Sequence, residues 1–190
     1  MAGASAERQE TGVVNAIKDA VKKNQGKPIT VVAGKVTIKS VTNAEKFTGR
    51  QAGGSEPYTD VVIETTSKTV NCSLKGESAP SLAGGGLKGL ELAVPGIAAR
   101  FMKNALAELK KKIAPGDKVP DVFGKIQDAD KLKIVVGNRA MGGPIDYMYI
   151  GKMDVEHKFD SKTGILTMTN GALIPAKDYA RDHELYFRLS

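Results

Sequence analysis

Four polar side chains in the first half of the sequence have the types needed to cut a phosphodiester bond. Asp60 comes directly before the β-rich run VVIE, and Ser73 and Lys75 lie at the end of a second, alternating run, TVNCSLK, after a short polar turn. Residues two apart in a strand share one face, so an antiparallel hairpin predicts that Asp60, Ser73 and Lys75 lie together. The fourth residue, Glu10, lies on the apolar stripe of an N-terminal helical pattern, where an unpaired carboxylate is unusual because burying a charge is costly.

These residue types together meet the needs of metal-assisted hydrolysis. The carboxylate oxygens of Asp60 and Glu10 are ligands of the kind that Mg²⁺ prefers. A bound metal polarises the phosphodiester and lowers the pKa of a bound water, and a nearby lysine can orient or deprotonate that water. We therefore expect Asp60 to be the principal metal ligand, Glu10 the helper acid and Lys75 the residue that positions the water. The alternatives are ordinary polarity of a solvated hairpin and an acid in a frayed first helical turn, where it suits the helix dipole.

The elements that would position these residues follow from the apolar spacing. Apolar residues recur at helical intervals over residues 5–24 and again over residues 96–113, which predicts a helix in each range. A β-rich run with a Gly-Lys turn predicts a hairpin over residues 28–41. The hairpin that carries Asp60 is expected to have strands near residues 60–64 and 69–75.

The second half of the chain reads mainly as strands. Residues 131–140 predict a strand, and a Gly-Pro turn in residues 141–151 leads into another. Residues 153–174 resemble a β-meander with a Lys-Thr-Gly turn, and the last sixteen residues predict a short helix and a final strand. No repeat or linker divides the 190 residues, so the sequence predicts a single α+β domain over residues 1–190, with a mixed sheet flanked by helices.

The composition favours a polyanionic partner. With 28 Lys and Arg against 21 Asp and Glu, the net charge is +7, which attracts phosphates at long range and favours nucleic acid over membrane. The polar N-terminus does not read as a signal peptide, and no apolar run approaches the roughly 20 residues of a membrane span. The one cysteine, Cys72, excludes an internal disulfide and alternates with Val70 and Leu74, which predicts a small core residue.

The order Asp60, hairpin, Ser73-Leu74-Lys75 is similar to the PD-(D/E)xK nuclease signature, in which an aspartate and an acid-x-lysine lie on adjacent strands. Glu10 resembles the first-helix acid of the archaeal Holliday-junction-resolvase branch of that superfamily. The stretch GGPIDYMYIGKMDV and the terminal LYFRLS are similar to restriction-endonuclease-like proteins encoded by tailed phages. The chain departs from the signature twice, since PYTD replaces the Pro-Asp pair and Ser73 stands where the second acid belongs.

The resemblance implies a restriction-endonuclease-like core over about residues 8–113 and a strand-rich extension over about residues 131–190. It implies a Mg²⁺-dependent DNA endonuclease that contacts the DNA backbone and works in the host-cell cytoplasm or in a virion. Ser73 would then be a weak ligand, or would support the ligands without binding the metal.

Two alternatives belong to other classes of protein. One is a non-catalytic virion protein of the capsid, neck or tail, with Gly-rich loops at residues 52–56 and 84–86. Its edge strands would pair with further copies of the chain, as a homo-oligomer, or with other virion proteins. The other is a basic protein that binds DNA through charge alone.

Overall fold

The computed structural model describes residues 3–49, 57–77, 86–112, 114–116 and 122–189. The helices are α1 (Ala4–Lys23), α2 (Gly86–Ala93), α3 (Ile97–Lys112), α4 (Asp128–Val136) and α5 (Ala176–Asp182), with a 3-10 turn at Arg139–Met141. The strands are β1 (Ile29–Ala33), β2 (Val36–Lys46), β3 (Val61–Thr65), β4 (Thr69–Gly76), β5 (Val122–Lys125), β6 (Tyr147–Gly151), β7 (His157–Asp160), β8 (Ile165–Met168), β9 (Gly171–Pro175) and β10 (Tyr186–Leu189).

Eight of these strands form one mixed sheet in the order β7-β8-β1-β2-β3-β4-β6-β9. Strands β1 to β4 are an antiparallel meander, and two later strands join it in parallel, β6 beside β4 and β8 beside β1. Strand β9 pairs antiparallel with β6, β7 pairs antiparallel with β8, and β5 and β10 form a separate two-stranded sheet. The predicted α+β class, a mixed sheet flanked by helices, is confirmed.

The apolar side chains pack in two clusters, one on each face of the sheet. Tyr149 of β6 belongs to the first cluster and its neighbour Met148 to the second, and consecutive strand residues point to opposite faces. Helix α1 packs in the first cluster through residues such as Val13 and Ile17. Helices α2, α4 and α5 pack in the second, with Leu90 of α2 fully buried there. The sheet is therefore the middle layer between α1 and the other helices.

The elements around the predicted site form where the sequence patterns indicate. The helix predicted over residues 5–24 is α1, and the helix predicted over residues 96–113 is α3. The Gly-Lys turn joins β1 to β2, and Gly34 has a positive φ of 62° that favours glycine. The hairpin predicted near residues 60–64 and 69–75 is β3–β4, correct to within one residue at each strand end.

Two predictions for the second half are wrong. Residues 131–140 form most of α4 and the 3-10 turn instead of a strand. The run KIVV is rich in β-branched residues, but the buried positions Lys131, Ile134 and Val135 have the i, i+3, i+4 spacing of a helix. The region predicted as a β-meander is only partly one, because β7 and β8 form a hairpin while β9 pairs with β6 at the other end of the sheet. None of the helices in the described part of the chain is both long and apolar enough to span a membrane.

Candidate functional site

The Asp60 carboxylate lies against the neighbouring strand β4. Val61 pairs with Cys72 in the β3–β4 ladder, and the Asp60 N–H donates to the Cys72 carbonyl at 2.9 Å just before β3 begins. Oδ2 of Asp60 accepts a hydrogen bond from the Leu74 N–H at 2.7 Å and another from the Ser73 hydroxyl at 3.2 Å. Hydrogen bonds to an ionised acceptor are the stronger kind, so the carboxylate is held firmly beside β4.

Lys75 lies two residues after Ser73 on the same face of β4. On that face Ser73 pairs with Met148 and Lys75 pairs with Ile150 of the parallel strand β6. Burial of the Lys75 amine lowers its pKa below the usual value, and the negative charge of Asp60 partly opposes that shift. The structure thus brings Asp60 and Ser73 into contact and places Lys75 near enough to Asp60 for electrostatic interaction.

Glu10 lies on α1, which packs on the face of the sheet that carries Cys72. Ser73 and Lys75 alternate with Cys72 and so lie on the opposite face. The carboxylate of Glu10 is 4.0 Å from Nζ of Lys46, at the end of β2. Glu10 could join the other three residues only if α1 covered their face, and the helix covers the opposite face. The apolar stripe of α1 packs there against the apolar side chains of the β1–β4 meander.

Gln9, next to Glu10, is the α1 residue that contacts the backbone of Lys75. Its side chain is only 1% exposed, and Nε2 donates to the carbonyl of Lys75 and to the carbonyl of Gly151, each at 3.1 Å. One amide therefore ties α1 to the ends of β4 and β6. Sequence reasoning missed this residue, although its spacing of four from Val13 places it on the buried stripe.

A second carboxylate, Asp146, lies on the other side of β4. Its Oδ2 accepts a hydrogen bond from the Asn71 N–H at 2.8 Å, and the Asn71 side-chain amide donates to the Pro144 carbonyl at 3.0 Å. Asp60 and Asp146 thus each satisfy a backbone N–H of β4, one on the β3 side and one on the β6 side. The Gly-Pro segment before β6 gave no sequence signal for this role, because the contact joins residues 75 positions apart in the chain.

The segment leading into Asp60 is anchored to the same Gly-Pro region. The Tyr58 N–H donates to the Met141 carbonyl at 2.8 Å. The hydroxyl of Thr59, which is buried, donates to the Gly142 carbonyl at 2.5 Å. These bonds fix the position of the backbone immediately before Asp60, and so help to hold its carboxylate beside β4.

Cys72 is a core residue, as its alternation predicts. Its side chain is buried in the first cluster beneath α1. Burial raises the pKa of the thiol, and the nearby negative charges of Asp146 and Asp60 raise it further. A thiol held in this protonated state is a poor nucleophile, so it takes no chemical role.

The residues present fit a magnesium site only in a minimal form. Within the described ranges, no three His, Cys, Asp or Glu side chains form a group that could hold a metal ion. Asp60, with the Ser73 hydroxyl beside it, supplies one carboxylate. Mg²⁺ is commonly bound by one or two carboxylates while waters and substrate phosphates complete its coordination. Asp60 therefore fits a site to which the substrate contributes ligands.

The chain was compared with protein-family models, with curated proteins and with solved structures, and none of the three comparisons found a match.

Proposed function

We propose that this chain is a Mg²⁺-dependent endonuclease that hydrolyses DNA phosphodiester bonds at the β3–β4 hairpin. The observation that carries the proposal is the group formed by Asp60, Ser73 and Lys75. The Asp60 carboxylate, just before β3, accepts a hydrogen bond from the Ser73 hydroxyl of β4. Lys75 lies two residues further along β4, and burial lowers the pKa of its amine. This arrangement supports the resemblance to the PD-(D/E)xK signature. The parallel strand β6, which follows β4 after intervening helices, adds support for a core of that type.

Each residue has a distinct part in the proposed reaction. Asp60 would hold the metal through its carboxylate, and the Ser73 hydroxyl would keep that carboxylate turned toward β4. Bound Mg²⁺ supplies charge stabilisation at the phosphate and a water with a lowered pKa. The Lys75 amine would orient the attacking water, and its lowered pKa makes proton exchange with that water easier than for a solvated lysine. Glu10 has no ligand role in this scheme, because α1 covers the opposite face.

The charge of the chain supports DNA as the substrate. A net charge of +7 favours binding to the phosphate backbone, which positions the duplex without reading its sequence. Binding of this kind weakens steeply with salt, so both cleavage and binding should fall between 50 and 200 mM salt, by about tenfold or more.

The test is cleavage of supercoiled plasmid in the presence of Mg²⁺. The parent protein should nick or linearise the plasmid, while Asp60→Asn and Lys75→Met should lose at least 100-fold in rate, the scale typical of a lost acid–base group. Lys68→Met is the matched control, because Lys68 is an exposed lysine in the turn of the same hairpin. This variant should cleave the plasmid like the parent. No cleavage by the parent, or equal cleavage by Lys75→Met, would contradict the proposal.

One observation favours a second candidate, a non-catalytic virion or DNA-binding protein. The Asp60 carboxylate already accepts hydrogen bonds from Ser73 and Leu74, so its role in the fold alone explains its position. Of the Gly-rich loops predicted at residues 52–56 and 84–86, on which the particle alternative partly depends, only Gly86 lies within the described residues, and it begins α2. If the parent protein does not cleave, size measurement and gel shift separate the two roles. A large ordered oligomer indicates a particle component, and a salt-sensitive DNA complex indicates a binder.

A further inference from the structure

In the described part of the chain, strand β7 forms one edge of the eight-stranded sheet. Among the described residues it pairs with β8 on one side only. His157, Lys158 and Asp160 are exposed, while Phe159 is partly buried against the first core cluster. The other edge is less open, because the β1–β2 turn approaches β9 so closely that a Cβ on Gly34 would lie 2.8 Å from the Ala172 side chain.

The backbone of β7 presents hydrogen-bonding groups to this open side. The Glu156 carbonyl accepts from the Thr169 N–H at 2.9 Å, so residues 156, 158 and 160 direct their backbone groups toward β8. The N–H and C=O groups of His157 and Phe159 therefore point away from the sheet. A row of such groups is a template for pairing with another strand.

The side chains of β7 fit a second copy of the same strand in one register. A twofold axis normal to the sheet keeps each face on its own side. Antiparallel copies of the four-residue strand β7 then overlap over three residues only when they centre on Lys158 or on Phe159. Centring on Lys158 sets two lysines directly opposite each other, which is unfavourable. Centring on Phe159 sets the two phenylalanines opposite each other, and each Lys158 lies opposite Asp160 of the second copy. Both cross-strand charge pairs are then attractive.

We propose that two copies of this chain associate through antiparallel pairing of their β7 strands, centred on Phe159. The two sheets then become one continuous sheet with eight strands from each copy. The outward N–H and C=O groups of Phe159 bond those of its copy, and the two rings cover each other at the rim of the core. The inference is independent of the proposed nuclease activity, since no residue of the Asp60 group takes part.

Cysteine cross-linking tests the register directly. In the Phe159-centred pairing, positions 158 and 160 of opposite copies form a non-hydrogen-bonded pair with Cα atoms about 4.5 Å apart, which suits a disulfide. The double variant Lys158→Cys/Asp160→Cys should give a covalent dimer on a non-reducing gel after mild oxidation.

The single variants, Lys158→Cys and Asp160→Cys, should cross-link at least tenfold less. The buried Cys72 should not compete. Efficient cross-linking by Lys158→Cys alone would overturn the register, because only the Lys158-centred pairing sets that position against itself.

Charge exchange tests the interface by a second route. Asp160→Lys sets like charges opposite each other twice, so its dimer dissociation constant in sedimentation experiments should rise about tenfold or more. The exchanged variant Lys158→Asp/Asp160→Lys restores both attractive pairs and should dimerise like the parent. Asp19→Lys, an equal charge change at an exposed position on α1, should leave the dimer unchanged.

A parent protein that stays monomeric at high concentration would overturn the proposal. So would an Asp160→Lys variant that dimerises like the parent, or an exchanged variant as weak as Asp160→Lys.

Discussion

At the scale of single residues, the two carboxylates beside β4 have similar work in the fold. Asp60 accepts from the Leu74 N–H on the β3 side, and Asp146 accepts from the Asn71 N–H on the β6 side. Each carboxylate accepts a hydrogen bond from a backbone N–H of β4 that would otherwise bond to a carbonyl of an adjacent strand. Asp60 therefore contributes to stability whether or not it also binds a metal, and the two contributions can be measured separately.

Asp60→Ala should lower the free energy of unfolding by about 1–3 kcal/mol, because the Leu74 N–H and the Ser73 hydroxyl lose their acceptor. Asp60→Asn should cost less, since the amide oxygen can still accept one of these bonds. Urea unfolding of the two variants measures the difference. Equal destabilisation by Asn and Ala would show that the hydrogen bonds to Oδ2 contribute little.

The Lys75 amine should make stability depend on pH in the alkaline range. Burial lowers its pKa in the folded protein below the usual 10.5, so at pH values between the two the unfolded chain holds more protons. Stability therefore rises with pH through that window. Lys75→Met lacks the amine, so the stability of the parent relative to this variant should increase as pH rises toward 10.5. Urea unfolding at several pH values measures this, and a constant or falling difference would contradict it.

At the scale of elements, α1 and the meander were predictable and the face that α1 covers was not. The apolar stripe through Val13 and Ile17 predicts a helix because its spacing is local. Alternation likewise predicts β3 and β4, and hence the contact between Asp60 and Ser73. Both faces of this sheet are apolar, however, so a helical stripe alone does not decide between them. That is why the sequence predicts α1 without predicting that it covers the face opposite Lys75.

The docking of α1 should depend on Gln9. Gln9→Leu keeps the approximate volume but removes the donor to the Lys75 and Gly151 carbonyls, and should lower the free energy of unfolding by about 1–3 kcal/mol. Gln127→Leu, at an exposed position before α4, is the control and should change it by no more than about 0.5 kcal/mol. Thermal and urea unfolding measure both variants, and similar values for the two would refute this role for Gln9.

At the scale of the whole molecule, the sheet depends on pairings between distant parts of the chain. Strand β4 ends at Gly76 and its parallel partner β6 begins at Tyr147. No local pattern indicates which strand will be the neighbour of another after some seventy residues, so most strands of this sheet were predictable from the sequence and their order was not. The same distance hid Asp146, which contacts β4 only because β6 lies beside it.

A chain cut after Gly116 should therefore fail to fold cooperatively, even though it contains the Asp60 group. It lacks β6, which pairs along β4, and β8, which pairs along β1. Without β6 and β8, the strands β4 and β1 would expose unpaired backbone groups and apolar side chains. Circular dichroism should show a broad thermal transition for this fragment and a sharp one for the full chain. A sharp transition for the fragment would mean that the first half folds on its own.

The strand order also sets the spacing between the two Asp60 side chains in a paired molecule. Strand β3 is the fourth strand inward from β7, so two copies joined at β7 would have nine strand spacings between their Asp60 side chains, a path of about 43 Å measured along the curved sheet. A twofold axis normal to the sheet would give both groups the same outward side and opposite polarity, which matches the antiparallel strands of a duplex. If the proposed nuclease activity holds, such a molecule would present one site to each strand of the duplex and would make staggered breaks.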